Sequence, residues 1–380
     1  MNLSATAASR GLEPERILVV RTRFVGDTVL AIPFLRNLRR RHPRAQIDVL
    51  VEQAPGAVLA DCPYKDELLV LPDAAVRGVP IPAALSTLFA NARWLRNRHY
   101  SRAYILKRSL SAILLVRLAG IPHRVGFASQ GGGLLLSRAA RIGGHRHEVE
   151  VFLDLLRVDG IPVDDGRNEN WVAPDVATKV DRRLGGLPPD RTRVFIAPRS
   201  TAREKEWPVE RMARVVSWLV NERNCEVVFC GAPRDMAMHQ EIATRAGTRA
   251  ARHAHDMTSE FNLRETGGLL ARMHLAVGVD TGLLHVAASH CVPVVSLVGP
   301  TDPNRWCPWG TFSEVIRAPR LQRPWALRLR QSLFPLRGSD LHWPIGTAAM
   351  NDIGVEQVEA AIDRLLAGRQ AVLPSRQAAA

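Results

Sequence analysis

The chain has 380 residues, 46% hydrophobic and 23% charged, the composition of an ordinary globular protein with room for two domains of roughly 150–200 residues each. Its 51 basic residues against 37 acidic give a net charge of +14, so an anionic partner is expected; only four of the bases are lysines, Lys65, Lys107, Lys179 and Lys205. Five scattered cysteines without metal-ligand spacing argue against a disulfide framework, the polar stretch Met1 to Glu15 carries no secretory signal, and no apolar run approaches the ~18 residues of a membrane span, so a cytoplasmic location is expected.

In chain order, Arg16-Ile-Leu-Val-Val20 reads as a first strand. It leads through Thr22 to Gly26-Asp27 into a helix with apolar residues at Leu30, Leu35 and Leu38. Pro33 is tolerated in a first helical turn, so that helix either starts near Ile32 or kinks there. Ile47 to Val51 is the next strand, and β-loop-helix-β is the opening of a parallel doubly wound sheet. Asp27 stands at the rim of that sheet beside the single glycine of its loop. Two readings are open: a helix cap, or a general base that takes a proton from a bound hydroxyl. The loop is not G-x-G-x-x-G, which disfavours a dinucleotide-binding dehydrogenase.

Ala103 to Leu106 is a further strand, followed by Lys107-Arg108-Ser109 and a helix to Leu118. Lys107 and Arg108 either hold an acidic acceptor or form a solvated basic face. Arg124 to Phe127 is a short strand, and His147 to Arg157 an amphipathic helix. The pairs His145/His147 and His253/His255 lack a third ligand at suitable spacing, so no metal site is assigned to them. The polar, Pro- and Gly-punctuated stretch from Gly166 to Pro189 reads as the boundary between domains.

After it the pattern restarts with strand Arg193–Ala197, a loop containing Ser200, Thr201 and Lys205, a helix from Trp207-Pro208 to Val220, and strand Glu226–Cys230. Hydroxyls, a helix N-terminus and an ammonium group together suit a diphosphate, with a solvated loop as the plain alternative. Val277 to Val279 runs into Asp280-Thr281-Gly282, a short helix carrying His285, and a second apolar strand ending at Gly299. This βαβ unit puts the turn where open α/β sheets bind ligands, and its free N–H groups, hydroxyl and carboxylate suit a phosphate beside a polyhydroxyl group. Here too the residues could simply cap and turn the chain. Arg320 to Trp343 is basic and rich in Leu, Trp and Pro, and either lies on an anionic bilayer surface or packs as an ordinary loop. Val355 to Leu366 is an amphipathic helix, and residues 370–380 are expected to be disordered.

Three separated motifs, Ile17 to Pro33, Lys205-Glu-Trp207-Pro208, and Asp280 to His285 with Gly299-Pro-Thr-Asp302-Pro303, resemble glycosyltransferase family 9, the ADP-heptose:lipopolysaccharide heptosyltransferases. The likeness spans most of residues 16–310. It implies an α/β fold of GT-B architecture, two Rossmann-like parallel-sheet domains facing a cleft: residues 1–175 for the acceptor, 176–350 for the sugar nucleotide, and 351–380 a terminal helix and tail. It also implies inverting transfer of a heptose from an ADP-sugar to an anionic glycolipid acceptor at the inner face of the membrane, with no essential metal, no cofactor and no nucleic acid. Asp27 matches the catalytic base. Ser200, Thr201 and Lys205 match the diphosphate group; Asp280, Thr281, Gly282 and His285 match the donor turn; Asp235 lies near an acidic residue that contacts the ribose. Lys107 and Arg108 are the expected acceptor contacts, although many members carry an Asp/Gln-Gly sequence there. Two rivals are a noncatalytic sugar-nucleotide or nucleic-acid binder, and another GT-B-like transferase or epimerase.

Overall fold

The computed structural model describes residues 15–21, 23–71, 81–129, 131–142, 146–318 and 348–377, apart from the side chains of 81, 82, 348, 349 and 369–377. Among them are two six-stranded sheets, every pairing parallel. The first comprises β1 (Arg16–Val20), β2 (Gln46–Leu50), β3 (Glu67–Leu69), β4 (Arg102–Ile105), β5 (His123–Phe127) and β6 (Arg138–Ala140). The second comprises β7 (Arg193–Ala197), β8 (Glu226–Phe229), β9 (Ala254–Asp256), β10 (Leu275–Val279), β11 (Val294–Val298) and β12 (Ser313–Arg317). Their orders, β3-β2-β1-β4-β5-β6 and β12-β11-β10-β7-β8-β9, are the same winding used twice.

Strand order reverses between β1 and β4 in one sheet and between β7 and β10 in the other. Loops leaving the carboxyl ends of those four strands border the crevices where such sheets take ligands. They are the loops that carry Asp27, Lys107 and Arg108, Ser200 to Lys205, and Asp280 to Gly282.

The strands read as apolar runs because both faces of a parallel sheet are covered by helices. Ile17, Val19, Phe34, Leu35 and Leu38 fill one side of β1, and Leu18, Val20, Ile105 and Ile113 the other. One apolar cluster continues from Val29 and Phe152 of the first half to Leu284 and Val286 of the second, so the halves share a core. The helix after β1 is broken in two, Val25–Val29 and Ile32–Arg41, with Pro33 in the first turn of the second piece. The stretch read as a boundary contains a helix, Pro174–Leu184, whose Val176, Val180 and Leu184 are buried. Its apolar spacing is genuine, but only three side chains carry it and the surrounding Pro and Gly residues conceal it.

The terminal helix runs from Val355 to Gln377, well past Leu366 and into the stretch expected to be disordered. Val358, Ala361 and Ile362 seat it on the second sheet. Residues 378–380, the segment Arg320–Trp343 and His145 lie outside the described residues. No helix among the described residues is long and apolar enough to cross a membrane.

Candidate active site

Asp27 falls in the first turn of helix Val25–Val29, where Phe24 is the N-cap, and its side chain makes no cap hydrogen bond. Its carboxylate is instead held by the guanidinium of Arg21, the residue that follows β1. Arg21 is buried, and burial lowers its pKa to about 10 against the opposing pull of Glu148, so it stays charged at neutral pH. The cap reading of Asp27 is thereby set aside, and its carboxylate is oriented by a buried cation.

Across the cleft, Gly282 opens the helix Gly282–Ser289, which packs against helix Val25–Val29. The approach is close enough to demand glycine on both sides. A Cβ on Gly26 would lie 2.7 Å from His285 Cδ2, and one on Gly282 would lie 2.8 Å from Val25 Cβ and 3.0 Å from the Gly26 nitrogen. His285 is therefore beside the Asp27 turn. Burial pushes its imidazole down to about 4, with Asp280 opposing, so the ring is neutral, and its Nδ1 has no hydrogen-bond partner.

Neither Asp280 nor Thr281 caps that helix through its side chain. Asp280 Oδ2 accepts from Lys205 Nζ at 2.8 Å and from the Thr301 hydroxyl at 2.6 Å, while Ser200 Oγ donates to the Asp280 carbonyl at 3.1 Å. Burial alone would raise the Asp280 pKa; the Lys205 ammonium and the hydrogen bonds from Lys205 and Thr301 hold it below the ordinary carboxylate range. Ser200, Lys205 and Asp280 are thus one network linking the loops after β7 and β10. Thr201 lies exposed in the same loop.

Asp235 sits after β8. Its Oδ2 accepts from the Ala232 N–H at 2.8 Å, and its buried Oδ1 has no hydrogen-bond partner, with Arg199 Nε at 3.8 Å. It closes its own turn.

Arg108 is not a solvated base. Its guanidinium pairs with Glu148 and lies over the Phe127 ring, 5.1 Å from its centroid. Glu148 also accepts from Arg305 Nε at 2.8 Å, and Arg305 belongs to the second half, so one buried carboxylate joins two arginines across the cleft. Next to it, His147 Nε2 meets the Cys307 carbonyl at 2.9 Å and its ring stacks on Trp309 at 4.3 Å. The other H-x-H pair, His253 and His255, meets the buried Glu226 at 2.9 and 2.7 Å. Buried nitrogens without partners cluster in this cleft: Arg21 Nε, Arg108 Nε, Arg305 Nη2 and His285 Nδ1. Such a set of unfilled donors on and beside cations is suited to anionic ligands. A cavity of about 1260 Å³ lined by Met273, His290, Trp309 and Phe312 lies apart from the predicted residues, none of which lines it.

Arg21, Glu148, Thr301 and Arg305 were not singled out from the sequence. Arg21 had a signal, a charge at the end of an otherwise apolar strand. Glu148 and Arg305 had none, because their pairing spans more than 150 positions.

The chain matches the family model described as "Glycosyltransferase family 9 (heptosyltransferase)" over residues 88–329. It is 26% identical over 325 residues to "Lipopolysaccharide heptosyltransferase 2" of Salmonella typhimurium, covering 80% of this chain and 88% of that protein. Among solved structures it is similar to a family 9 glycosyl transferase from Veillonella parvula, with TM-score 0.75 and 22% identity over 93% of this chain and 97% of that one. It is also similar to the Escherichia coli "ADP-heptose lps heptosyltransferase II", with TM-score 0.73 and 23% identity over 93% and 99%. These neighbours share the two-sheet GT-B fold described above. The chain belongs to glycosyltransferase family 9, the heptosyltransferases, and is a glycosyl-transferring enzyme.

Proposed function

We propose that this enzyme transfers a heptose from ADP-heptose to a hydroxyl of a lipopolysaccharide inner-core acceptor, a Kdo or heptose residue on lipid A, with inversion at the anomeric carbon and without a metal ion. The observation that carries this reading is the juxtaposition of Asp27 in the first half with the Lys205–Asp280–His285 network in the second, brought together where Gly26 meets Gly282. The names of the similar proteins supply the sugar, the donor and the acceptor class.

In this reading residues 1–175 receive the acceptor and 176–350 the donor. The acceptor oxygen attacks the anomeric carbon from one side while its proton passes to the Asp27 carboxylate, and the bond from that carbon to the diphosphate oxygen breaks on the other. Arg21 holds Asp27 in position. The departing ADP gathers charge, which Lys205, the hydroxyls of Ser200 and Thr201 and the N–H groups opening helix Gly282–Ser289 neutralise. Lys205 is bound to Asp280 at 2.8 Å, so donor entry exchanges one anion for another at the ammonium and frees Asp280 for a sugar hydroxyl. Neutral His285 offers Nδ1 to the donor, and the free Oδ1 of Asp235 is placed for a ribose hydroxyl. The unfilled donors of Arg108 and Arg305 favour an anionic acceptor. Such an acceptor is anchored in lipid, which puts the working enzyme at the cytoplasmic face of the inner membrane. With the halves closed, water is kept from the donor and hydrolysis is limited.

The test incubates the protein with EDTA, ADP-heptose and Kdo-lipid A and follows acceptor mass. A gain of one heptose, lost in Asp27→Asn, is expected. No gain with ADP still bound in a Lys205-dependent manner would overturn the acceptor; no ADP binding would overturn the reading as a whole.

A further inference from the structure

Four non-glycine residues among those described have positive φ: Phe24 at 62°, His99 at 53°, Asn224 at 52° and Cys291 at 60°. Three of them end helices, where a left-handed residue is an ordinary way to satisfy the last carbonyls. The His99 N–H reaches the Arg96 carbonyl at 3.1 Å; beside Asn224, the Cys225 N–H reaches back to Leu219 at 3.0 Å; the Cys291 N–H meets Ala288 at 2.9 Å. Phe24 is different because it opens a helix, and its ψ of 128° lies outside the left-handed helical well. For a bulky side chain this is a true outlier, and backbone strain of this kind gathers at functional sites.

The strain is imposed from both sides. The Phe24 carbonyl accepts from the Thr28 N–H at 3.1 Å and from the Thr28 hydroxyl at 2.9 Å, and Thr28 is buried. Two residues on, Gly26 is pinned against His285. Glycine would make this turn at lower conformational cost. Phenylalanine is found there nonetheless, and its ring is not used in the core: it is 50% exposed. The Arg23 guanidinium lies over it, 5.0 Å from the ring centroid. An aromatic face is therefore held out at the lip of the cleft, three positions before the carboxylate that takes the acceptor's proton.

We infer that the Phe24 ring, backed by Arg23, is an acceptor subsite on which the apolar C–H face of the sugar carrying the attacking hydroxyl packs. The ring's negative face and large apolar area suit the C–H bonds of a pyranose. A rigid platform beside Asp27 would fix the hydroxyl's approach, which rewards holding the ring in a strained backbone. The inference rests on the reading of Asp27 as base and of an inner-core sugar as acceptor.

The experiment titrates de-O-acylated Kdo-lipid A, and separately ADP, into wild type, Phe24→Asn and Phe24→Tyr, with thermal unfolding of each. Phe24→Asn should weaken acceptor binding about tenfold, leave ADP binding unchanged and unfold at or near the wild-type Tm. Phe24→Tyr should bind acceptor within about twofold of wild type. Acceptor binding by Phe24→Asn equal to wild type would overturn this inference alone, and so would an equal loss of ADP affinity, which would mean that the ring shapes the loop. Wild type that binds ADP but no acceptor would overturn the proposed acceptor and the subsite together.

Discussion

The two halves of this enzyme repeat one winding of strands but fill their rims differently. At the rim of the first sheet arginines pair with the carboxylates: Arg21 with Asp27, and Arg108 with Glu148. At the rim of the second, Lys205 and the Thr301 hydroxyl meet the Asp280 carboxylate, the Ser200 hydroxyl meets its carbonyl, and a neutral His285 lies beside them. An arginine clamp keeps a carboxylate in one orientation, as a base for an incoming hydroxyl requires. An ammonium and hydroxyls on a glycine turn can release one anion and take another, as a diphosphate that arrives and departs requires. The fold alone does not divide these roles, since both crevices are equally able to bind a ligand.

The sharpest way to break the comparison is Asp27→Asn. It keeps the shape of the Arg21 contact but removes the proposed base, and kcat should fall about 10²–10⁴-fold with ADP affinity intact. Lys205→Ala should act on the other half, lowering kcat about 10²–10³-fold and weakening ADP as well. If both variants gave the same pattern, the division of labour would be wrong.

A third substitution tests how the halves are joined. Glu148 is the carboxylate that Arg108 and Arg305 share from opposite sides, and Glu148→Ala leaves two buried cations without it. Unfolding measured in denaturant should show a loss of about 3–5 kcal/mol. Arg305→Ala should lose less, because Glu148 keeps Arg108.

A fourth effect is in pH. In the second half, burial holds His285 and His290 at about 4, below the ordinary histidine value of 6.5; Asp280 opposes this at His285 and Arg272 adds to it at His290. Between those pH values the unfolded chain binds protons that the folded chain does not. Stability present above pH 6.5 is therefore lost as pH falls toward 4, by about 1.4 kcal/mol per pH unit for each ring. His290→Gln, remote from the cleft, should remove about that much of the slope in acid denaturation.

What was legible in the sequence follows from range. β1, β7, β10 and β11 each carry four apolar residues in five, and their loops could be read directly as rims because each begins where such a stretch stops. Asp27, Lys205 and Asp280 stand in those loops, so position alone brought them forward. Arg108 was found for its place, but its partner was not, because Glu148 begins a helix 40 positions away and looked like an ordinary first-turn acid. Thr301 and Arg305 lie beyond β11 and are drawn to the site only by the return of the chain. The φ of Phe24 leaves no trace in composition, since the residue that adopts it is one that local preference would not put there.

The central claim is that base and leaving-group chemistry sit on opposite halves. The most direct measurement is calorimetric ADP binding together with single-turnover heptose transfer on Asp27→Asn and Lys205→Ala. The account predicts an Asp27→Asn enzyme that binds ADP as wild type does yet transfers at least about 10²-fold more slowly, and a Lys205→Ala enzyme impaired in both. Wild-type transfer rates in Asp27→Asn, or ADP binding unchanged in Lys205→Ala, would contradict it.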